Sequence, residues 1–149
     1  MKTLIIVLIL TAFLQATIIP VDLVLLILIL RAFVKSQNLN LVLSFGMGLL
    51  VSLLTFSLFG VYSLIYLFLI ELVDIFIART NLIDNILVVP ILSFFTLISE
   101  NLILSLFIHR SIELNLAAVL WGTVLSIPIY LILRFWEERF VVRDIKLKF

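Results

Sequence analysis

Residues 66–80, YLFLIELVDIFIART, carry two carboxylates, Glu71 and Asp74, in an otherwise apolar run. A third acid, Glu100, followed by Asn101, stands in another apolar run. Carboxyl groups in such surroundings serve general acid–base chemistry, proton relays or ion paths, or act as polar contacts between helices. At 100° per residue, Glu71 and Asp74 lie about 60° apart on a helix, so they share one face. Ser63, Tyr66 and Ala78 fall on the same stripe, and Arg79 follows closely. Ser93, Thr96 and Glu100 form a matching stripe with Asn101 beside it. The two stripes are expected to face each other or a shared cavity. Two acids on one helical turn do not make an intramembrane aspartyl protease, and no glycine-rich motif flanks a second aspartate. The one histidine, His109, stands beside Arg110 and is expected at a helix end. No HExxH, GxSxG or phosphate-loop motif occurs. The expectation is a chain without catalytic residues, cofactor or metal. There is no cysteine, which removes disulfide, Cys-ligated metal and thiol chemistry.

The elements that position these acids follow from composition. Of 149 residues, 65% are hydrophobic and only 13% charged, with a mean hydropathy of +1.42. Soluble domains are nearer half apolar and a quarter charged, so the solvent here is a bilayer. Backbone groups in hydrocarbon must pair internally, which leaves helices or a closed barrel. The apolar runs are continuous rather than alternating, which excludes the barrel. We expect an all-α polytopic membrane protein with six transmembrane helices in one bundle: Thr3–Ile19, Val21–Val34, Leu39–Phe56, Val61–Ala78, Asp84–Ile108 and Ile112–Trp136. Residues 1–136 would form the transmembrane domain and residues 137–149 a short basic cytoplasmic tail. The start, MKTLIIVLILTAFLQAT, has the outline of a signal peptide, but Leu14 would occupy a position before the cut that prefers a small residue. It is read as a retained first helix.

The second span is short, and Arg31 and Lys35 would have to snorkel to the interface. Pro20 suits a first helical turn. Ser36-Gln37-Asn38 and Asn81–Asn85 read as polar turns, with Asp84 as a helix cap. With both termini inside, Lys2, Arg31, Lys35, Arg79, Arg134, Arg139, Arg143, Lys146 and Lys148 share one side, against Arg110 alone on the other. That bias supports cytoplasmic termini and an even number of spans. Basic residues spread along a membrane face give no support for nucleic-acid binding. The tail, RFWEERFVVRDIKLKF, is amphipathic. It suits an interfacial flank, or a docking site for a cytoplasmic partner or anionic lipid.

Small residues recur at four-residue spacing: Ser44, Gly48 and Ser52; Ala118, Gly122 and Ser126; Ala12 and Ala16. Residues four apart share a face, and small ones let helices approach closely. These stripes are expected to be packing or partner faces.

Residues 20–69 resemble the rod shape-determining protein MreD family. That family shows a Pro-Asp-Leu start to its second span, then a glycine-bearing third span ending Gly-Leu-Leu-x-Asp-Leu. A short Ser/Gly/Pro turn and Leu-Gly lead to the fourth. Pro20, Asp22 and Leu23 match the start with Val21 inserted. Gly46 and Gly48 match the third span, and Ser57 and Gly60 the turn. Ser52 stands where the family usually has Asp, and Phe56 and Leu58 stand where Gly and Pro are common. The resemblance implies a non-enzymatic subunit of the bacterial cell-elongation complex in the inner membrane. It would bind MreC and, through it, MreB and the peptidoglycan synthases. The alternative is a substrate-binding subunit of an energy-coupling-factor vitamin transporter. Such subunits also have six helices, and their first helix docks a partner through Ala-x-x-x-Ala, as Ala12 and Ala16 would allow. The expected outer loops, Ile18–Asp22, Thr55–Gly60 and His109–Glu113, are short for a ligand pocket. A third reading is a small ion- or proton-coupled carrier using Glu100 and Glu71.

Overall fold

The computed structural model describes residues 2–19, 21–35, 38–80, 86–109 and 115–146. They form an all-α bundle of α1 (Lys2–Thr17), α2 (Leu23–Val34), α3 (Asn38–Leu54), α4 (Val61–Thr80), α5 (Val88–Leu104) and α6 (Leu116–Lys146). A π-helical turn, Ser105–His109, extends α5. Its outer surface is that of a multi-pass membrane protein. Large apolar side chains such as Leu10, Val42, Leu64, Phe95, Trp121 and Ile132 are exposed all around it, far beyond what a soluble monomer shows.

Six spans were expected, the second of them short; among the described residues only three helices are long and apolar enough to cross a bilayer alone: Val61–Thr80, Val88–Phe107 and Leu116–Glu137. The first three helices are shorter. At 1.5 Å per residue, α2 is only about 18 Å long, against about 30 Å of hydrocarbon. Its limits are set locally. Asp22 caps its start, and Lys35 leaves the helix in an extended conformation at its end. α3 stops where Phe56 turns to φ +50°. At the other extreme, α6 does not stop at Trp136 but continues to Lys146, so the residues read as a tail begin as helix.

α2 is the axis of the bundle. Every residue from Val24 to Phe33 is buried, and α2 packs against each of the other five helices. A helix apolar on all sides belongs in such a position. Around it the neighbours run α1, α3, α4, α5, α6, and among the described residues α1 and α6 do not touch.

The small-residue stripes lie inside this arrangement. Ser44, Gly48 and Ser52 are buried. A Cβ at Gly48 would stand 2.3 Å from the Cα of Ser63, so α3 and α4 meet there backbone to backbone. Ala118, Gly122 and Ser126 are buried on α6. A Cβ at Gly122 would stand 2.6 Å from Leu97 Cδ1 on α5 and 3.2 Å from Val21 Cγ1. Ala12 is buried and Ala16 half-buried, on a helix that packs against α2 and α3.

The buried face of α4 runs Ser63, Tyr66, Ile70, Val73, Ile77. Glu71 and Asp74 each follow a residue of that face, and one residue is 100° of helix. Glu71 is therefore exposed and Asp74 half-buried. The α4 stripe expected to face α5 is thus split, with Ser63 and Tyr66 inside and Glu71 and Ala78 outside.

Candidate functional site

A buried helix start in hydrocarbon is costly, because its first N–H groups have no partner within the helix. α2 solves this with donors and acceptors from two elements. The Val21 carbonyl accepts from Leu23 N–H at 2.9 Å, and the Asp22 carbonyl from Leu26 N–H at 3.1 Å. Asp22 Oδ1 accepts from Leu25 N–H at 2.9 Å. Gln15 Oε1, reaching across from α1, accepts from Val24 N–H at 3.0 Å.

Asp22 then receives a further group. The Tyr66 hydroxyl of α4 donates to its Oδ2. Glu100 of α5 lines the same cavity as Asp22. Glu100 is 2% exposed, and its Oε2 has no hydrogen-bond partner. Tyr62 stands edge-on to Tyr66, with ring centroids 6.0 Å apart. Asn101 donates to the Leu97 carbonyl at 3.0 Å.

Gln15, Asp22, Thr55, Tyr62, Glu100 and Asn101 line one cavity of ≈ 230 Å³ whose remaining wall is apolar. Its position follows from the length of α2. The central helix is shorter than the helices around it, so the bundle axis beyond Asp22 is unfilled. At the opposite end of α2 lie the charges. Arg31 is buried, with Nε 3.9 Å from Glu137 Oε1, and Lys35 Nζ is 3.9 Å from Glu137 Oε2. Arg31 was expected to snorkel outward; instead it turns inward toward an acid on α6. Arg134 Nη1 meets the Tyr130 hydroxyl at 3.4 Å nearby.

Of the polar residues singled out in the sequence, Glu100 and Asn101 reach the cavity, whereas Glu71 and Asp74 do not line it. Glu100 shares the cavity with Asp22 rather than with the α4 carboxylates. Among the family-motif positions, Asp22 lies at the centre, Gly48 at the α3–α4 contact, and Gly60 at φ +87° where α4 begins. Ser57 Oγ meets the Ser52 carbonyl at 3.4 Å. Gly46 has open space where a Cβ would stand. Pro20, Asp84, Arg110, Lys148 and the Asn81–Asn85 turn lie outside the described residues. Sequence reasoning missed Gln15 and the pairing role of Asp22. The available signal was an amide and a carboxylate within apolar sequence, where each needs a partner.

Chemically, the cavity offers two carboxyl groups, one phenol, one hydroxyl and two amides in an apolar wall. Among the described residues, no group of three His, Cys, Asp or Glu side chains is placed to hold a metal ion. No family model matches this chain, and neither does any curated protein or solved structure.

Proposed function

We propose that this chain is a non-enzymatic scaffold subunit of a bacterial cell-elongation complex, of the MreD kind. In this reading it crosses the inner membrane six times with both termini in the cytoplasm. It holds an MreC-like protein and, through it, MreB and peptidoglycan synthases. A scaffold of this kind acts by binding one conformation of a partner better than another.

The observation that carries the reading is where the motif of residues 20–69 falls. Asp22 caps the central helix and anchors Tyr66. Gly48 lets α3 and α4 touch, and Gly60 takes a left-handed φ. Phe56, where the family commonly has glycine, also takes a left-handed φ of +50°. Asp22, Gly48, Gly60 and Phe56 thus occupy positions with a backbone or capping requirement, whereas Gly46 does not. The usual aspartate is replaced by Ser52, which is buried beside the α3–α4 contact.

The test is affinity purification of the tagged chain from its native membrane in mild detergent, with mass spectrometry of what accompanies it. Recovery of an MreC-like protein with wall synthases is the expected result. A pair of ATP-binding-cassette ATPases with a transmembrane coupling subunit would replace this reading with the vitamin-transporter one. The polar cavity favours that second reading, because its ligands come from helices and need no long loops.

A further inference from the structure

We infer that the outward face of α4 docks a membrane-spanning helix of another protein, one that carries a lysine or arginine near the middle of its span. The inference stands on α4 alone, whichever complex the chain joins. Glu71 stands at the middle of this 20-residue helix. At 1.5 Å per residue, about 14 Å of helix separates it from either end. That is too far for a glutamate side chain to reach the interface. Glu71 is exposed on the outer surface of the bundle. Among the described residues, no hydrogen bond or ion pair engages it. Arg79 on the same helix lies about 12 Å further along the axis. A carboxyl group at bilayer depth is costly without a partner, and no described residue supplies one. A lysine or arginine at that depth is costly for the same reason, and the two charges offset each other only together. That complementarity defines the occupant.

The surroundings of Glu71 give the occupant its form. Leu64, Phe68, Glu71, Ile75 and Ala78 alternate at four- and three-residue intervals, and all of them are exposed. Such spacing keeps one narrow seam along a helix, the geometry in which a second helix packs against it. A single polar residue within a seam fixes register and partner. α4 packs against α2, α3 and α5, and none of them covers this seam. The apolar crevice between α4 and α5 lies elsewhere. Its α4 wall is Leu69, Leu72, Val73 and Phe76, each turned about 100° or more from Glu71. A lipid chain lodged there would leave Glu71 uncovered. A second copy of this chain, seated seam to seam, would set acid against acid, which disfavours the charge on both. A cation-bearing helix fits better.

The experiment places the full chain in lipid vesicles with a synthetic apolar membrane-spanning peptide that has one central lysine. A dye attached through Arg79→Cys, the only thiol in such a chain, reports association by fluorescence transfer to a dye on the peptide. The lysine peptide should associate at least fivefold more tightly than the same peptide with leucine at its centre. Glu71→Leu should remove that preference. Glu71→Lys should transfer it to a peptide with a central glutamate. Equal association of the lysine and leucine peptides, or a preference that survives Glu71→Leu, would overturn the inference. So would a folded Glu71→Lys chain that gains nothing for the glutamate peptide. Transfer between two labelled copies of the chain without peptide, lost in Glu71→Leu, would overturn it in favour of a copy-to-copy interface. Glu71→Leu puts an apolar residue on an outward position, so the test stands even where Glu71→Lys fails to fold.

Discussion

At the residue scale, Asp22 does two things at once. It caps α2 and receives the Tyr66 hydroxyl. Asp22→Ala removes the cap and strands a buried phenol. Its unfolding free energy in detergent should fall by about 2–4 kcal/mol, summing a cap and an unsatisfied hydroxyl. Asp22→Asn retains the cap and should stay within about 1 kcal/mol of the parent. Thermal unfolding followed by tryptophan fluorescence distinguishes the two, and equal losses would show that capping is not what Asp22 supplies. Phe56 makes the opposite case. It is 97% exposed and sits at φ +50°, so its side chain gains no packing while its backbone is strained. Phe56→Gly should raise stability by up to about 1 kcal/mol, the left-handed penalty of an L-residue less the entropy cost of glycine. At this scale the sequence was legible for Glu100 and misleading for Glu71. A carboxylate in an apolar run announces a need for a partner, but not its direction. The partner of Tyr66 is 44 residues away in the chain, a distance no local spacing encodes.

At the scale of elements, the spacing of small residues was readable and its meaning was not. Ser44, Gly48 and Ser52 mark a close face, yet only the structure shows that α4 fills it. Gly48→Ala should therefore push α3 from α4. The nearest atoms are backbone of Tyr62 and Ser63 and cannot rotate away, so a loss of at least the usual overpacking cost of about 1–3 kcal/mol is expected. Gly46→Ala, two residues away, meets open space and gains helix propensity, so it should be neutral or slightly stabilising, by about 0.5–1 kcal/mol. A matched pair of melting curves is sufficient, and comparable losses in both variants would remove the α3–α4 contact as the cause. Helix limits were least legible where a cap or a turn residue sets them. Lys35 ends α2 by adopting an extended backbone, whereas nothing ends α6 at Trp136 because the following charged residues still favour helix. The acids of α4 illustrate the same limit. Its buried face is centred on Tyr66 and Ile70, and a one-residue offset carries Glu71 outside.

At the scale of the molecule, composition alone pointed to a helical membrane protein, and the charge distribution predicts that the basic residues share one side. The absence of cysteine makes the six-span topology directly testable. In intact cells, Leu58→Cys in the α3–α4 turn should react with a membrane-impermeant maleimide, while Lys35→Cys should react only after permeabilisation. The reverse pattern would invert the orientation, and labelling of both from outside would end the six-span reading. What composition could not reveal is the central place of α2, because an apolar helix facing lipid and one facing protein have the same residues. That central place has a consequence for tolerance to change. A peripheral helix such as α4 has one side read by protein and one by lipid, so a saturation-mutagenesis scan of it should rise and fall with a period near 3.6 residues. The lipid side accepts nearly any apolar residue. α2 has no such side. From Val24 to Phe33 the scan should show no period at all, only a continuous intolerance to changes of volume.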